Sequence, residues 1–287
     1  MQNNNNERWK LLRESFSILM RNRLTRAGAI VIALYLITAL VAPYFAPYNP
    51  IMQDLPNTLK PPNMKNLFGT DEFGRDILTR IIFGARISLL IGAGAVAIAF
   101  VLGTILGTSA AYYGGRVDSI VMRIMDIMLS FPAILLAIVI VTILGPRLIN
   151  VLIAVGIQST PMFARMIRGS VLSVKENEYV LAARALGAND LRMIINHILP
   201  NSMAPMIVLA TLRIGTAIIT ASGLSFLGLG AQPPTPEWGA MLATGRNYLR
   251  AAPWVATIPG LAIMTVVFGF NLLGDGLRDA MDPRMKM

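Results

Sequence analysis

Side chains able to do chemistry are sparse in this chain and fall in a few places. Gly69-Thr-Asp-Glu-Phe-Gly74-Arg75-Asp76 has the glycine spacing of a phosphate loop. It lacks the Lys and Ser/Thr that contact the outer phosphates and Mg²⁺, so that chemistry is not expected here. The chain contains no H-E-x-x-H and no G-x-S-x-G element. Leu273-Gly-Asp275 invites comparison with membrane aspartyl catalysis, which requires a second carboxylate within the membrane. The other candidate, Asp126, stands three residues after Arg123 on one helical face, and pairing between those two is expected. With no cysteine and a single histidine, His197, thiolate metal sites, iron–sulfur clusters, cysteine nucleophiles and histidine-rich centres are excluded. No catalytic residue, metal or cofactor is expected on this chain.

The remaining polar residues suit passage better than reaction. Arg213 stands alone in a long apolar stretch, where a guanidinium costs several kcal/mol unless it faces a cavity or a partner. It either lines a pathway or forms a structural pair with another subunit. Gln158, Ser159 and Thr160 precede Pro161 and interrupt an apolar run, which is tolerated only where they face protein or water. Together with Asp126 they are pathway candidates. Met122, Met125 and Met128 share a face, and methionines commonly fill gaps between helices.

These residues require elements to position them, and the composition says what those are. Charged residues make up 14% of 287 and hydrophobic residues 55%, with 24 glycines besides. A soluble domain runs near 25% charged, so this apolar excess cannot be hidden in a globule of the same size. An all-α polytopic membrane protein is expected. Charge-free windows place about six spans: Ala27–Ala46, Ile87–Gly115, Ile127–Pro146 with a bend at Pro132 and a start as early as Ser119, Leu148–Ala164, Leu199–Gly230 interrupted by Arg213, and Ala251–Gly274. The fourth is the shortest. In the second, Ala95, Ala99, Gly103, Gly107 and Ala111 recur every four residues, a stripe that lets another helix approach closely.

Direction follows from the basic residues. With the N-terminus inside, sixteen Lys/Arg fall in cytoplasmic segments and eight in external ones, which favours both termini in the cytoplasm. The net charge of +10 is accordingly read as a topology signal rather than a nucleic-acid footprint. Residues 1–26 are a polar cytoplasmic segment with a basic amphipathic helix over Arg8–Met20, and 27–46 is an uncleaved anchor, since a signal peptide has a shorter apolar region. An external loop over 47–80 follows. A core of five spans over 81–278 holds a cytoplasmic loop at 176–200, and 279–287 is a cytoplasmic tail.

That loop is the most informative stretch. Glu178-Tyr179-Val180-Leu181-Ala182-Ala183-Arg184-Ala185-Leu186-Gly187-Ala188 reads as a short helix with small residues on an apolar face and Gly187 placed to end it. A helix of this kind fits a groove on another protein. The loop resembles the coupling loop of binding-protein-dependent ABC importers, whose pattern is E-A-A, three residues, G, nine residues, I-x-L-P. Ala182, Ala183, Gly187, Leu199 and Pro200 match in spacing; Leu181 stands where many importers have Glu, and His197 where they have Ile. The relaxed form is similar to that of the dipeptide/oligopeptide/nickel permeases. Leu67–Asp76, Gly84–Leu89, Leu224–Gly230, Gln232–Gly239 and Gly276–Arg284 resemble the second, C-type permease of that family.

The resemblance implies a type I importer permease with both termini cytoplasmic, in a bacterial or archaeal cytoplasmic membrane. It implies a heterodimer with a homologous permease, two cytoplasmic ATPase subunits carrying ATP and Mg²⁺, and an extracellular or periplasmic substrate-binding protein. It also implies that Glu178–Ala188 docks the ATPase. Relatives often carry a Glu near Ala221, which is absent here, so an acidic contact to a peptide amine is not expected from this helix. Peptide is the expected substrate, nickel or another small solute the alternative. A self-sufficient channel or secondary transporter would need an ionisable relay within the spans, and Arg213 alone does not make one.

Overall fold

The computed structural model of the chain describes residues 22–281; the amphipathic helix expected over Arg8–Met20 and the tail after 281 lie outside them. Helix α1, Arg23–Phe45, opens on Asn22, whose side chain accepts from the Leu24 N–H. A polar stretch with one short 3₁₀ turn leads to α2, Ile77–Tyr113. Asp76 caps α2 by accepting from the Thr79 N–H at 2.8 Å. Thirty-seven residues at 1.5 Å each make α2 about 55 Å long, well beyond the hydrocarbon thickness. After it come α3, Gly115–Ser130, and α4, Ala133–Leu144. α5 spans Leu148–Lys175 and α6 spans Glu178–Ala185. A π-helical stretch, Met193–Ile198, precedes α7, Ala204–Phe226. α8, Trp238–Gly245, and α9, Trp254–Met281, complete the chain.

Among the described residues five helices are long and apolar enough to cross a membrane, and α3 with α4 makes a sixth span if counted together. Several boundaries differ from the charge-free windows, because charged residues sit inside helices, some of them paired. α5, expected to be shortest, runs on to Lys175 because Asp126 and Asp118 on α3 neutralise its Arg165 and Arg168. α2 begins at Ile77 rather than Ile87 and carries Arg80 and Arg86, so the polar loop is shorter than 47–80. α9 continues past Gly274 to Met281. The stretch Leu199–Gly230 resolves into a short helical turn, Leu199–Ser202, and the shorter α7.

The third window is not one bent helix. Phe131 is extended (φ −89°, ψ 140°), as a residue before proline prefers, and α3 and α4 meet there at 96°. Nor do Gln158, Ser159 and Pro161 interrupt the fourth span, since α5 passes through Pro161 as one helix.

α2 is the central strut, packed along α5 on one side and against α1 and α7 on the others. Ala95, Ala99, Gly103, Gly107 and Ala111 are all buried. The contact on α5 is close enough that a Cβ on Gly103 would lie 2.4 Å from the Phe163 Cβ, and one on Gly107 would lie 2.2 Å from the Ala164 carbonyl oxygen. One apolar core surrounds this seam, with Phe163, Ile167, Met206 and Leu224. A second, with Ile77, Trp238, Val266 and Phe270, joins α1, α2, α8 and α9.

Candidate translocation groove and coupling helix

The open face of α5 forms one wall of a groove of about 690 Å³ lined by Met162, Arg165, Met166, Gly169, Ser170 and Ser173, with Asn201 and Pro205 closing it. These residues recur at helical spacing, so one face of one helix presents them all. Arg213, half-buried on α7, donates from Nη2 to the Met162 sulfur. It lies nine residues into α7, about 14 Å along the axis, and reaches the groove wall rather than turning away from the bundle.

Three polar candidates precede Pro161 and divide differently from expectation. Gln158 and Ser159 are half-buried, and Gln158 falls on the same helical face as Met162 and Arg165. Thr160 is 3% exposed, and its hydroxyl donates to the Gly156 carbonyl at 3.0 Å. It therefore faces the interior and not a pathway, a local back-bond typical of threonine within a helix.

Asp126 is paired, but not with Arg123. Arg165 donates to its carboxylate at 2.5 Å across the α3–α5 contact, and Arg168 grips Asp118 with two bonds of 2.6 Å. A neighbour three residues away on the same helix is outcompeted by guanidiniums arriving head-on from the packed helix, with the fork geometry that arginine offers carboxylates. The two pairs, with Ser119 and Met122, line a cavity of about 460 Å³ beside the groove. Of the three methionines on α3, Met125 is buried in packing.

α6 projects at the far end of α2. Val180 is buried and Ala183 half-buried against the bundle, while Glu178, Tyr179, Leu181, Ala182, Arg184, Ala185, Leu186 and Gly187 face outward. Leu181 is 57% and Leu186 89% exposed. The helix ends as the sequence suggests. Gly187 takes φ +83°, its N–H reaches the Arg184 carbonyl, and the Ala188 N–H reaches the Ala183 carbonyl. This is the Schellman arrangement, which favours glycine at its left-handed position.

The opposite end of α2 carries the glycine-containing loop. A Cβ on Gly74, at φ +72°, would lie 1.9 Å from the Asp54 carbonyl oxygen, so the phosphate-loop spacing has a packing cause. Arg75 pairs with Asp71 at 2.7 Å and Glu72 at 2.9 Å. Arg80 reaches Asp71 as well as the carbonyls of Pro50 and Pro234. Burial, and then the Asp71 charge, push the Glu72 carboxyl above its usual range, against the pull of Arg75. Glu237, 1% exposed, caps α8 through the N–H groups of Gly239 and Ala240.

Sequence reasoning missed the contacts that hold the segments on either side of α6 to the end of α2. The Tyr112 hydroxyl donates to Asp190 at 2.6 Å across a separation of 78 residues, and Lys175 donates to the Tyr112 carbonyl at 2.9 Å. No local signal announces such a pair. The Asp118–Arg168 pair was missed for the same reason.

These elements define an all-α membrane bundle with an open groove on one face and a short exposed helix at one end. The comparisons specify it further. The model of the binding-protein-dependent transport system inner membrane component matches residues 99–287, and that of the N-terminal membrane domain of oligopeptide transport permease C matches residues 10–62. The chain belongs to this family of ABC importer permeases, as a C-type subunit. It is 52% identical over 274 residues to the dipeptide transport system permease protein DppC of Alkalihalophilus pseudofirmus, covering 96% of this chain and 90% of that one. It is 47% identical to the di/tripeptide permease DppC of Pseudomonas aeruginosa, covering 96% and 93%. The glutathione transport system permease protein GsiD of Escherichia coli O157:H7 is 46% identical, covering 93% and 88%. Among solved structures, the inward-facing MetNI methionine ABC transporter matches with a TM-score of 0.58 at 19% identity, covering 72% of this chain and 98% of that one. At that identity the likeness establishes the fold.

Proposed function

We propose that this permease subunit carries di- or oligopeptides, as half of a pathway completed by a homologous permease. Two cytoplasmic ATPase subunits hold the ATP and Mg²⁺ and perform the hydrolysis, and α6 receives their movement. A substrate-binding protein delivers the peptide to the opposite end, where the Asp71–Arg75–Arg80 cluster stiffens the loop. Both termini then lie in the cytoplasm, and the membrane is the bacterial cytoplasmic membrane.

One observation carries the coupling reading. α6 packs one side on the bundle through Val180 yet turns Leu181 and Leu186 outward, an apolar face that water disfavours and a groove on a partner would cover. The peptide reading is supported by the names of the relatives and by Arg213, whose guanidinium suits a passing carboxylate. One histidine and no cysteine are a poor donor set for nickel.

Reconstitution of the whole complex in proteoliposomes tests this. ATP-dependent uptake of a labelled dipeptide, requiring the binding protein, is expected. Uptake of Ni²⁺ without peptide would overturn the substrate, and transport by this chain alone would overturn the importer reading.

A further inference from the structure

The ends of α5 and α6 converge on one residue of α2. Tyr112 is the penultimate residue of α2 and is 6% exposed. Its hydroxyl donates to Asp190 at 2.6 Å, and its carbonyl accepts from Lys175, the last residue of α5, at 2.9 Å. The Ala111 carbonyl accepts from the same ammonium at 3.4 Å. From α6, the Arg184 guanidinium lies 5.9 Å from the Tyr112 ring centroid and 3.8 Å from the Asp190 carboxylate. Asp190 begins the segment that leads through the π-helical stretch into α7. A π-helical turn often marks a functional site rather than plain scaffold.

We infer that the Tyr112–Asp190 hydrogen bond is the joint through which movement of α6 reaches the α2–α5 pair, making Tyr112 and Asp190 positioning residues for coupling. This rests on the reading that ATPase subunits dock on α6. α6 itself packs on the bundle through the apolar side chains of Val180 and Ala183, and the bond lies just beyond its end, at the carboxylate that Arg184 of α6 faces. An apolar contact is non-directional and lets a helix slide or rotate. A short bond to a carboxylate is directional and strong, so it fixes where the push arrives. It arrives at the end of α2, whose seam with α5 is at backbone contact and transmits displacement without slack. The wall of the groove, Met162 to Ser173, lies on that same α5.

The test uses the complete complex in proteoliposomes, with labelled dipeptide uptake and ATP hydrolysis measured on the same preparation. Tyr112→Phe removes only the hydroxyl. Asp190→Ala removes the acceptor from a side chain that is 55% exposed, so folding is not at stake in the second variant. Each is expected to keep ATPase capture and hydrolysis while transport per ATP falls by about tenfold, the factor that a hydrogen bond to a charged acceptor controls. The double variant is expected to be no worse than either single one. Unchanged transport per ATP in Asp190→Ala would overturn the inference, as would transport and hydrolysis falling in equal proportion. A Leu181→Glu/Leu186→Glu variant separates the underlying reading. If it still captures the ATPases and transports, docking on α6 is wrong and the joint has nothing to transmit.

Discussion

Alanine at Gly107 tests whether α2 and α5 are held together at backbone contact. The new Cβ would lie 2.2 Å from the Ala164 carbonyl oxygen and 2.5 Å from the Ile167 Cγ2. Carbon–oxygen contacts between packed backbones settle near about 3.3 Å, so the helices must separate by about 1 Å. The first obstacle is backbone, and no rotamer change relieves it. Overpacking of this kind costs about 1–3 kcal/mol, and alanine recovers about 1 kcal/mol of it as helix propensity. Gly169→Ala removes that ambiguity. Gly169 lies on α5, and a Cβ there meets nothing within 4 Å, so it gains the same propensity with no clash. The difference between the two variants is therefore the steric cost alone. At about 2–4 °C per kcal/mol for a chain of this size, Gly107→Ala should melt several degrees below Gly169→Ala. Thermal denaturation of the purified complex, followed by size exclusion, reads this directly. Gly103→Ala should move the same way, since its Cβ would lie 2.9 Å from the Ala164 nitrogen. Equal melting of Gly107→Ala and Gly169→Ala would refute the close seam.

Three further outcomes follow from the site. Gly187→Leu should insert normally and lose transport, because a left-handed residue costs a side chain about 1–2 kcal/mol and the leucine enters the docking face; Gly187→Asn, which tolerates that conformation, should retain most activity. Parental transport by Gly187→Leu would count against docking at this loop. Single cysteines at Asn4, Asn63 and Lys286 in this cysteine-free chain report sidedness with an impermeant thiol reagent. Only Asn63→Cys should label from outside sealed cells, and labelling at either of the other two would overturn the orientation. Arg213→Ala should reduce flux more than assembly, with Arg213→Lys partly active. Intact flux would show the charge to be dispensable, and loss of the heterodimer would make Arg213 a structural pair.

Much of α6 was legible because its signals are local. The alternation of small and apolar residues, and a glycine where a helix must stop, act within a few residues of each other, and α6 ends through Gly187 as that spacing implies. The small-residue stripe on α2 was legible as a pattern, but nothing in it named α5 as the helix it meets. The broken third span was half visible. Pro132 signals a bend, whereas the 96° angle depends on which helices α3 and α4 each pack against.

Composition and periodicity determined that this chain is a helical membrane protein, because burying so many apolar residues in about twenty-residue runs leaves no other solution. The family was legible separately, through short motifs that resemble those of known permeases and whose spacing survives without knowledge of the fold. Tertiary structure decided the pairing of charges. Arg165 and Arg168 look like the end of a span until Asp126 and Asp118 approach from α3, and Thr160 looks like a pathway residue until its hydroxyl turns to Gly156. Tyr112 and Asp190 carry no mark in the sequence at all. The physical reason is range: helix propensity and capping act within a turn or two, whereas an ion pair or a buried hydrogen bond is set by which helices pack side by side.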